Sequence, residues 1–396
     1  MTELHIAYCG PVSLQLLADS LDTSEPLPVG YQYHLGAYLV KRLLAMGHRV
    51  TVVTSVHEVK QLKQWKGENL TVYATPRRRH YLFCLDAYRR ERRDMVRVLQ
   101  EAAPDLIHAQ WTYEFAHAAM SSGIPTLVTA RDSPRAILKH MPGLYRLYRA
   151  IYARFVIPRI ANLSTISPYM ADELRAGYSL SNRDIAIIPN ALEGSLFSAR
   201  SDYSLRRTNP TVAMVSGWGP RKNVKVALQA FVIVRQRNPD AKLVLMGAGL
   251  GTGEPAELWA KERGLGAGVE FVGQASHAVA LDRLRQEADI FLHTTLEESF
   301  CMSVVEAMAQ GIPVVAGIDS GAVPWVLGDG EAGVLVDCRD PDAVAVGLQR
   351  LIEDPKLREK YGACAFARAD TQFRMSRIAG VYLEHYKTIL EDANLA

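Results

Sequence analysis

Short apolar runs and helix-period stretches alternate along almost the whole chain. The runs 4–10 (LHIAYCG), 48–55 (HRVTVVTS), 104–110 (PDLIHAQ), 125–130 (PTLVTA), 163–167 (LSTIS) and 185–190 (IAIIPN) are apolar nearly throughout. They read as strands buried on both faces. Between the first two, Leu35, Leu39, Leu43 and Met46 recur at helical spacing within 34–47, and Gly47 stands where a helix stops. An irregular stretch, 198–210, follows. A second series then begins: 211–217, 241–247, 269–274, 289–295, 313–317 and 333–337. Strand–helix–strand repetition implies parallel sheets covered by helices. The pattern predicts an α/β protein of two doubly wound parallel-sheet domains, 1–200 and 201–374. Ligands of such sheets bind beyond the carboxyl ends of the strands, here in a cleft between the domains. A last helical segment, within 375–396, carries Ile378, Tyr382, Tyr386 and Ile389 on one stripe. Periodicity does not decide which domain it covers; the first is one candidate.

Size and composition agree. The chain has 396 residues, 48% hydrophobic and 22% charged, and cores stop growing at roughly 250–300 residues. No run of about 20 apolar residues reads as a membrane span. The N-terminus lacks the basic and apolar regions of a signal peptide. The five cysteines, Cys9, Cys84, Cys301, Cys338 and Cys364, show no CxxC spacing. They point to a reducing cytoplasm rather than a disulfide scaffold or a zinc site. Charge is uneven. Residues 1–200 hold 24 Lys+Arg and 17 Asp+Glu (+7), and the remainder holds 21 and 25 (−4). The excess concentrates in 77–93 and 146–159, where Arg alternates with Tyr, Phe and Leu. Solvated helix faces over buried aromatics explain this pattern. So does a surface for anionic lipid head groups or an anionic acceptor, with peripheral contact at the inner membrane face. No recognition motif accompanies the charge, so nucleic acid is not an expected partner.

The candidate chemistry lies in the second series. In ESFCMSVVEAMAQGIPVVAG (298–317), the segment after strand 289–295 turns and then becomes helical. Ser299 is placed to cap that helix and Gly311 to end it. Glu298 falls in the strand-to-helix loop, and Glu306 inside the helix. Backbone amides at a helix N-terminus suit a phosphate, and a carboxylate suits a vicinal diol. A surface acid and a capping acid fit the spacing equally well. GWGPRKNV places Arg221 and Lys222 after strand 211–217 and before a helix capped by Asn223; a solvated Lys–Arg pair is the alternative. MGAGLGTG (246–253) imitates a dinucleotide fingerprint, but Thr252 stands where the third glycine belongs. His34 and His108 are candidates for an acceptor site, and a satisfied core histidine explains His108 as well. No His/Asp/Glu cluster has ligand spacing, so neither a metal nor another cofactor is expected.

The run E-x-F-x5-E followed by A-M-A-x-G-x-P-V-V-A resembles the signature of the family-4 retaining glycosyltransferases. So do GYQYHLGAYLVKRLLAMGHRVTVVT, PDLIHAQ, IPN, GWGPRKNV, VLMGAG, EFVG and GDGEAGVLV. The resemblance covers most of the chain. It implies the GT-B fold, two facing Rossmann-like domains, with the acceptor on the first and a nucleotide-diphosphate sugar on the second. UDP-sugars are favoured over GDP-sugars. It further implies that Glu306 holds the donor ribose and that Glu298 lies by the donor sugar. Lys222, beside Arg221, would neutralise the leaving diphosphate. Gly217, Trp218, Gly247, Gly273, Ser299, Phe300, Cys301, Met302, Gly321 and Ala322 complete the implied donor side. Gly10, Gly30, His34, His108, Arg131 and Asp132 lie on the acceptor or sugar side.

The chain departs from that pattern at several positions. Cys301 stands where the family has Gly, and Trp218 where it has Arg, so that Arg221 becomes the substitute cation. Arg131 and Asp132 follow the strand after which many relatives have His, and Trp325 takes a Glu position. Gly321 and Ala322 can still offer backbone amides. The acceptor itself, lipid-linked or phosphorylated, is not legible; loops 10–34, 111–115 and 130–135 would set it. A nicotinamide-dependent oxidoreductase and a catalytically silent binding protein are the competing functions.

Overall fold

The computed structural model of the chain describes residues 3–79, 82–198 and 210–395. The chain forms two compact units, Met1–Ala191 with Met375–Ala396, and Leu192–Arg374. Most of the irregular stretch expected at 198–210 lies outside the described residues.

The first unit is built on strands β1 (His5–Cys9), β2 (Arg49–Val56), β3 (Lys63–Lys66), β4 (Leu70–Pro76), β5 (Leu106–Gln110), β6 (Thr126–Ala130), β7 (Asn162–Thr165) and β8 (Ala186–Ile187). They lie in the order β3-β4-β2-β1-β5-β6-β7-β8. All neighbours pair in parallel except β3, which runs antiparallel to β4. The central strands β1 and β5 are buried over their whole length, as continuous apolar runs require when helices cover both faces. β3 and β4 extend the sheet beyond the strands expected from the apolar runs, and β8 is shorter than the run 185–190. The helix Met375–Leu395 sinks Ile378, Tyr382, Tyr386 and Ile389 into the same core as Ile6, Tyr8, Leu39 and Leu43. The last helix therefore belongs to the first unit.

The second unit carries β9 (Thr211–Val215), β10 (Lys242–Met246), β11 (Val269–Gly273), β12 (Ile290–His293), β13 (Val314–Gly317) and β14 (Val334–Val336). They lie in the order β11-β10-β9-β12-β13-β14, parallel throughout. Chain order reverses between β9 and β12, the point at which doubly wound sheets open a crevice at their carboxyl edge. The residues following β9, β10, β12 and β13 include 216–222, 247–251, 294–301 and 318–322, which brings most of the candidate donor residues to one edge of the sheet. Among the described residues no helix is long and apolar enough to cross a membrane.

Candidate functional site

The loops after β9 and β12 are stitched together. The Leu296 amide donates to the Arg221 carbonyl at 2.9 Å. The Arg221 guanidinium donates to the Glu297 carbonyl at 2.8 Å and to its Oε2 at 3.3 Å. Thr294 Oγ1 donates to the Asn223 carbonyl at 3.0 Å. On this frame Lys222 Nζ donates to Glu298 Oε1 at 2.5 Å, and Arg221 lies 3.8 Å from Glu298 Oε2. Glu298 is largely buried. Burial pushes its carboxyl up, but Lys222, His293 and Arg221 outweigh it and hold the group below the ordinary value. Glu298 is therefore a carboxylate, and two cations converge on it.

His293, at the end of β12, is 1% exposed, and burial lowers its pKa to about 4, so the ring is neutral. Its Nε2 lies 3.2 Å from Cys301 Sγ and 3.7 Å from Glu298 Oε1. Burial raises the Cys301 thiol to about 12. These three side chains gather potential ligand atoms within 4.8 Å of one another, a juxtaposition that linear spacing does not reveal. Glu298 already meets Lys222 there, so a metal would compete with a resident ammonium group.

Cys301, not Ser299, occupies the N-cap of the helix Met302–Ala309, with φ 83° and no side-chain cap bond. The turn runs two residues further than expected because its last residue is left-handed. That conformation costs a residue bearing a Cβ about 1 kcal/mol relative to Gly. Cys301→Gly and Cys301→Ala remove the same sulfur contacts, and only Gly relieves the backbone. The Gly variant is therefore expected to be the more stable of the two by about 1 kcal/mol in urea unfolding; equal midpoints would remove the strain argument. Asn223 similarly sits at the N-cap of Val224–Arg237 in the left-handed region, and its amide donates to the Cys338 carbonyl at 2.6 Å instead of capping.

Glu306 lies inside the helix, buried, with Oε1 2.7 Å from His277 Nε2. That hydrogen bond raises the His277 pKa against the effect of burial. His277 begins the helix His277–Glu287, 29 residues from its partner, and nothing local in the sequence marks it. Glu297 is likewise found only through Arg221. Two buried hydroxyls near these loops, Ser216 Oγ and Thr295 Oγ1, have no hydrogen-bond partner among the described residues.

Several candidate donor residues serve the fold. Phe300 packs in an aromatic cluster with Trp325 and Phe373. The Ala322 amide donates to the Glu298 carbonyl at 2.9 Å, so it is not offered to a ligand. The Trp218 amide donates to Ala248, and the Trp218 ring lies 6.1 Å from Trp259. Gly247 adopts φ 133°, and a Cβ there would stand 1.6 Å from the Ser216 carbonyl oxygen; its freedom serves loop packing. The Gly247 amide donates to the Gly273 carbonyl at 2.8 Å. The glycine run does not open a helix, since the next one begins at Pro255, which removes the dinucleotide geometry. Gly217, Ser299 and Gly321 lie on the loops that follow β9, β12 and β13, and Met302 opens the helix Met302–Ala309.

In the first unit the acceptor-side candidates do not form one cluster. His108 is 1% exposed, with Thr129 Oγ1 and Gln110 Nε2 at its Nε2 and Tyr386 OH at its Nδ1. It is a satisfied core histidine, which corrects the acceptor assignment. Arg131 donates to Gln110 Oε1 at 2.8 Å and to Asn190. Asp132 accepts from Tyr113 at 3.2 Å and lies 3.5 Å from Arg149. Gly10 packs on Gln110, where a Cβ would meet the Gln110 Cβ at 2.6 Å. His34 opens the helix His34–Ala45. Gly30, whose amide donates to Glu58, instead borders a cavity of about 660 Å³ lined also by Tyr31, His57, Arg77, Phe83 and Tyr145. Arg77 lies over the rings of Tyr31 and Phe83, 5.3 Å from each centroid.

Comparison with known proteins gives the same division of the chain. Residues 37–193 match the family described as Glycosyltransferase Family 4, and residues 198–368 match Glycosyl transferases group 1. The phosphatidyl-myo-inositol mannosyltransferase of Mycobacterium tuberculosis H37Rv is 37% identical over 210 residues, 50% of this chain and 54% of that enzyme. The chain thus spans about half the length of the curated mannosyltransferases it matches. Sucrose-phosphate synthase from Thermosynechococcus elongatus superposes over 98% of this chain and 100% of its own, with TM-score 0.77 at 18% identity. Anabaena HepE in complex with UDP-glucose superposes over 98% and 100%, with TM-score 0.68 at 18% identity. Those structures share this fold of two parallel-sheet α/β domains, the GT-B architecture.

Proposed function

The chain belongs to the family-4, group 1 glycosyltransferases, and on that premise we propose that it transfers a sugar from a nucleotide-diphosphate sugar to an acceptor hydroxyl with retention. One observation carries this reading: Lys222 and Arg221 are fixed against Glu297 and Glu298 where β9 and β12 end, with Glu306 in the helix that follows the same loop. Departure of a nucleoside diphosphate builds negative charge on its phosphate, and preorganised cations lower that barrier without reorganising. Glu298 holds the Lys222 ammonium in place until the phosphate takes its share. Ser216 and Thr295 supply unengaged hydroxyls to the same edge. The bond from the anomeric carbon to the phosphate oxygen breaks, and the bond to the acceptor oxygen forms on the same face. The acceptor proton passes to the departing phosphate, so no enzyme nucleophile and no metal is required. Glu306 binds the ribose hydroxyls, exchanging part of its bond to His277.

UDP is the favoured nucleotide, supported by the UDP-glucose complex of the similarly folded HepE. The acceptor class is a lipid-linked or phosphorylated alcohol. The phosphatidylinositol named for the mannosyltransferase relative and the arginine-bordered cavity of the first unit support it.

Calorimetry with UDP, GDP, their sugars and NAD(P) tests the proposal. The parent chain is expected to bind a nucleoside diphosphate, and Glu306→Ala to weaken it about 100-fold, the loss of two charge-assisted hydrogen bonds. Unchanged affinity in that variant would refute the ribose assignment, and binding of NAD(P) alone would restore the oxidoreductase.

A further inference from the structure

The helix Leu144–Val156 of the first unit carries three arginines and no acidic residue. Its inner face is settled by its contacts. Tyr152 lies 5.4 Å from Tyr88, Arg149 covers the Tyr113 ring at 3.7 Å, and Ala153 and Val156 are buried. The outer face of a surface helix is ordinarily polar. Here it is apolar: Leu144 is 88% exposed, Leu147 44%, Ile151 49% and Phe155 60%. Spacings of three and four residues align these side chains along one stripe. The neighbouring one-turn helix Leu82–Asp86 packs Phe83 against Tyr145 and exposes Leu82 and, at 84%, Leu85.

The same unit also carries a cationic groove. It has a volume of about 400 Å³ and is lined by Arg89, Arg92, Arg93 and Arg97. Contacts connect it to the inner face of the same helix: Arg92 lies 2.9 Å from His117 Nε2, and His117 Nδ1 lies 2.7 Å from the hydroxyl of the buried Tyr152. The acids at the groove engage weakly, Asp94 at 3.9 Å from Arg93 and Glu101 at 3.8 Å from Arg97. Arg93 and Arg97 remain mostly exposed.

We infer that this face docks on an anionic lipid bilayer. The apolar stripe enters the acyl boundary, and the arginines meet head-group phosphates, each working over a Debye length or less. A protein partner would need acids facing the groove and apolar residues facing the stripe in one rigid array. A bilayer with anionic head groups presents both everywhere. Phe83 and Tyr145 also border the cavity of the first unit, so docking brings that cavity to the lipid surface. The inference does not rest on the transfer reading, since it concerns binding in the absence of donor.

Sedimentation of the full chain with vesicles tests it, using phosphatidylcholine alone or with about one third phosphatidylglycerol. The parent chain is expected to sediment with the anionic vesicles and to be released by salt. Leu144→Ser/Phe155→Ser and Arg93→Glu/Arg97→Glu are each expected to lower the partition coefficient about tenfold or more. All four positions are exposed, so circular dichroism and the thermal midpoint should match the parent chain. A parent chain that stays in the supernatant, or variants that bind as well as it does, overturns the proposal. So does gel filtration in which the parent is a dimer and the apolar variant a monomer, which assigns the stripe to a second copy.

Discussion

Lys222→Ala is expected to lower turnover by about 100- to 1,000-fold, the usual loss when one preorganised charge partner of a transition-state oxyanion is removed. The size follows from placement. Lys222 Nζ sits 2.5 Å from Glu298 Oε1 on a turn fixed to the neighbouring loop by the Leu296–Arg221 backbone bond. No conformational search is then needed when negative charge develops. The same substitution takes from a buried carboxylate its nearest cation, and a stability cost of about 1–3 kcal/mol follows. The cost is held to that range because Lys222 is 29% exposed and Arg221 and His293 stay near Glu298. Its pH dependence has a definite sign. The native Glu298 carboxyl lies below its ordinary value, so the pair stabilises fully above that value, and the benefit fades as pH falls through the native one. The stability gap between parent and Lys222→Ala should therefore narrow on acidification. The double variant Lys222→Met/Glu298→Gln removes both charges and should recover most of the stability and none of the turnover. Steady-state kinetics and urea unfolding of the parent and the two variants decide the matter. Turnover within about threefold of the parent in Lys222→Ala would dismiss the leaving-group role.

What could be read in the linear sequence, and what could not, divides along a physical line. The strands at the centre of each sheet are covered on both faces, so their apolar runs were visible, as at His5–Cys9 and Thr211–Val215. Gly47 and Gly311, with φ 84° and 66°, end helices where only a residue without Cβ enters the left-handed region freely. Lys63–Lys66 was invisible because an edge strand with one buried residue of four carries no apolar pattern. The site followed the same rule. Glu298, Glu306 and Lys222 stand in local motifs, at loop and helix positions that a strand–loop–helix pattern specifies. His277 and Glu297 act through partners 29 and 76 residues away, and no local pattern encodes such a distance. His293 did leave a trace, as an imidazole in an otherwise apolar strand. His108 left the same trace and proved to be a structural group, so that signal does not separate the two cases. What separates them is the number of partners: every ring nitrogen of His108 is engaged, whereas His293 Nδ1 is buried without one among the described residues.

Tyr386→Ala is expected to destabilise the first unit by about 3–5 kcal/mol, as large-to-small changes of a buried aromatic do. Tyr386 is 0% exposed and lies on the helix Met375–Leu395, which crosses back to the unit that begins the chain. Its ring stacks 6.2 Å from Tyr382, and its hydroxyl meets His108 Nδ1 at 2.7 Å. Burial and Arg131 hold that histidine far below its usual pKa, so it is neutral. A neutral imidazole has one donor and one acceptor, and both are committed here, to Tyr386 on one side and to the Thr129 and Gln110 side chains on the other. Tyr386→Phe keeps the ring and orphans one buried nitrogen, at an expected cost of about 1–2 kcal/mol. The difference between the two variants then measures the packing of the last helix alone. Urea unfolding, followed through Trp65 and Trp111 of the first unit, should show both midpoints lowered in that order. If Tyr386→Ala is no worse than Tyr386→Phe, the helix contributes a hydrogen bond but no core. A chain that draws its last 21-residue helix into the first unit gains a closing contact of high sequence separation. Its formation requires the intervening Leu192–Arg374 unit to be traversed first. The Ala variant should accordingly raise the unfolding rate much more than it lowers the folding rate.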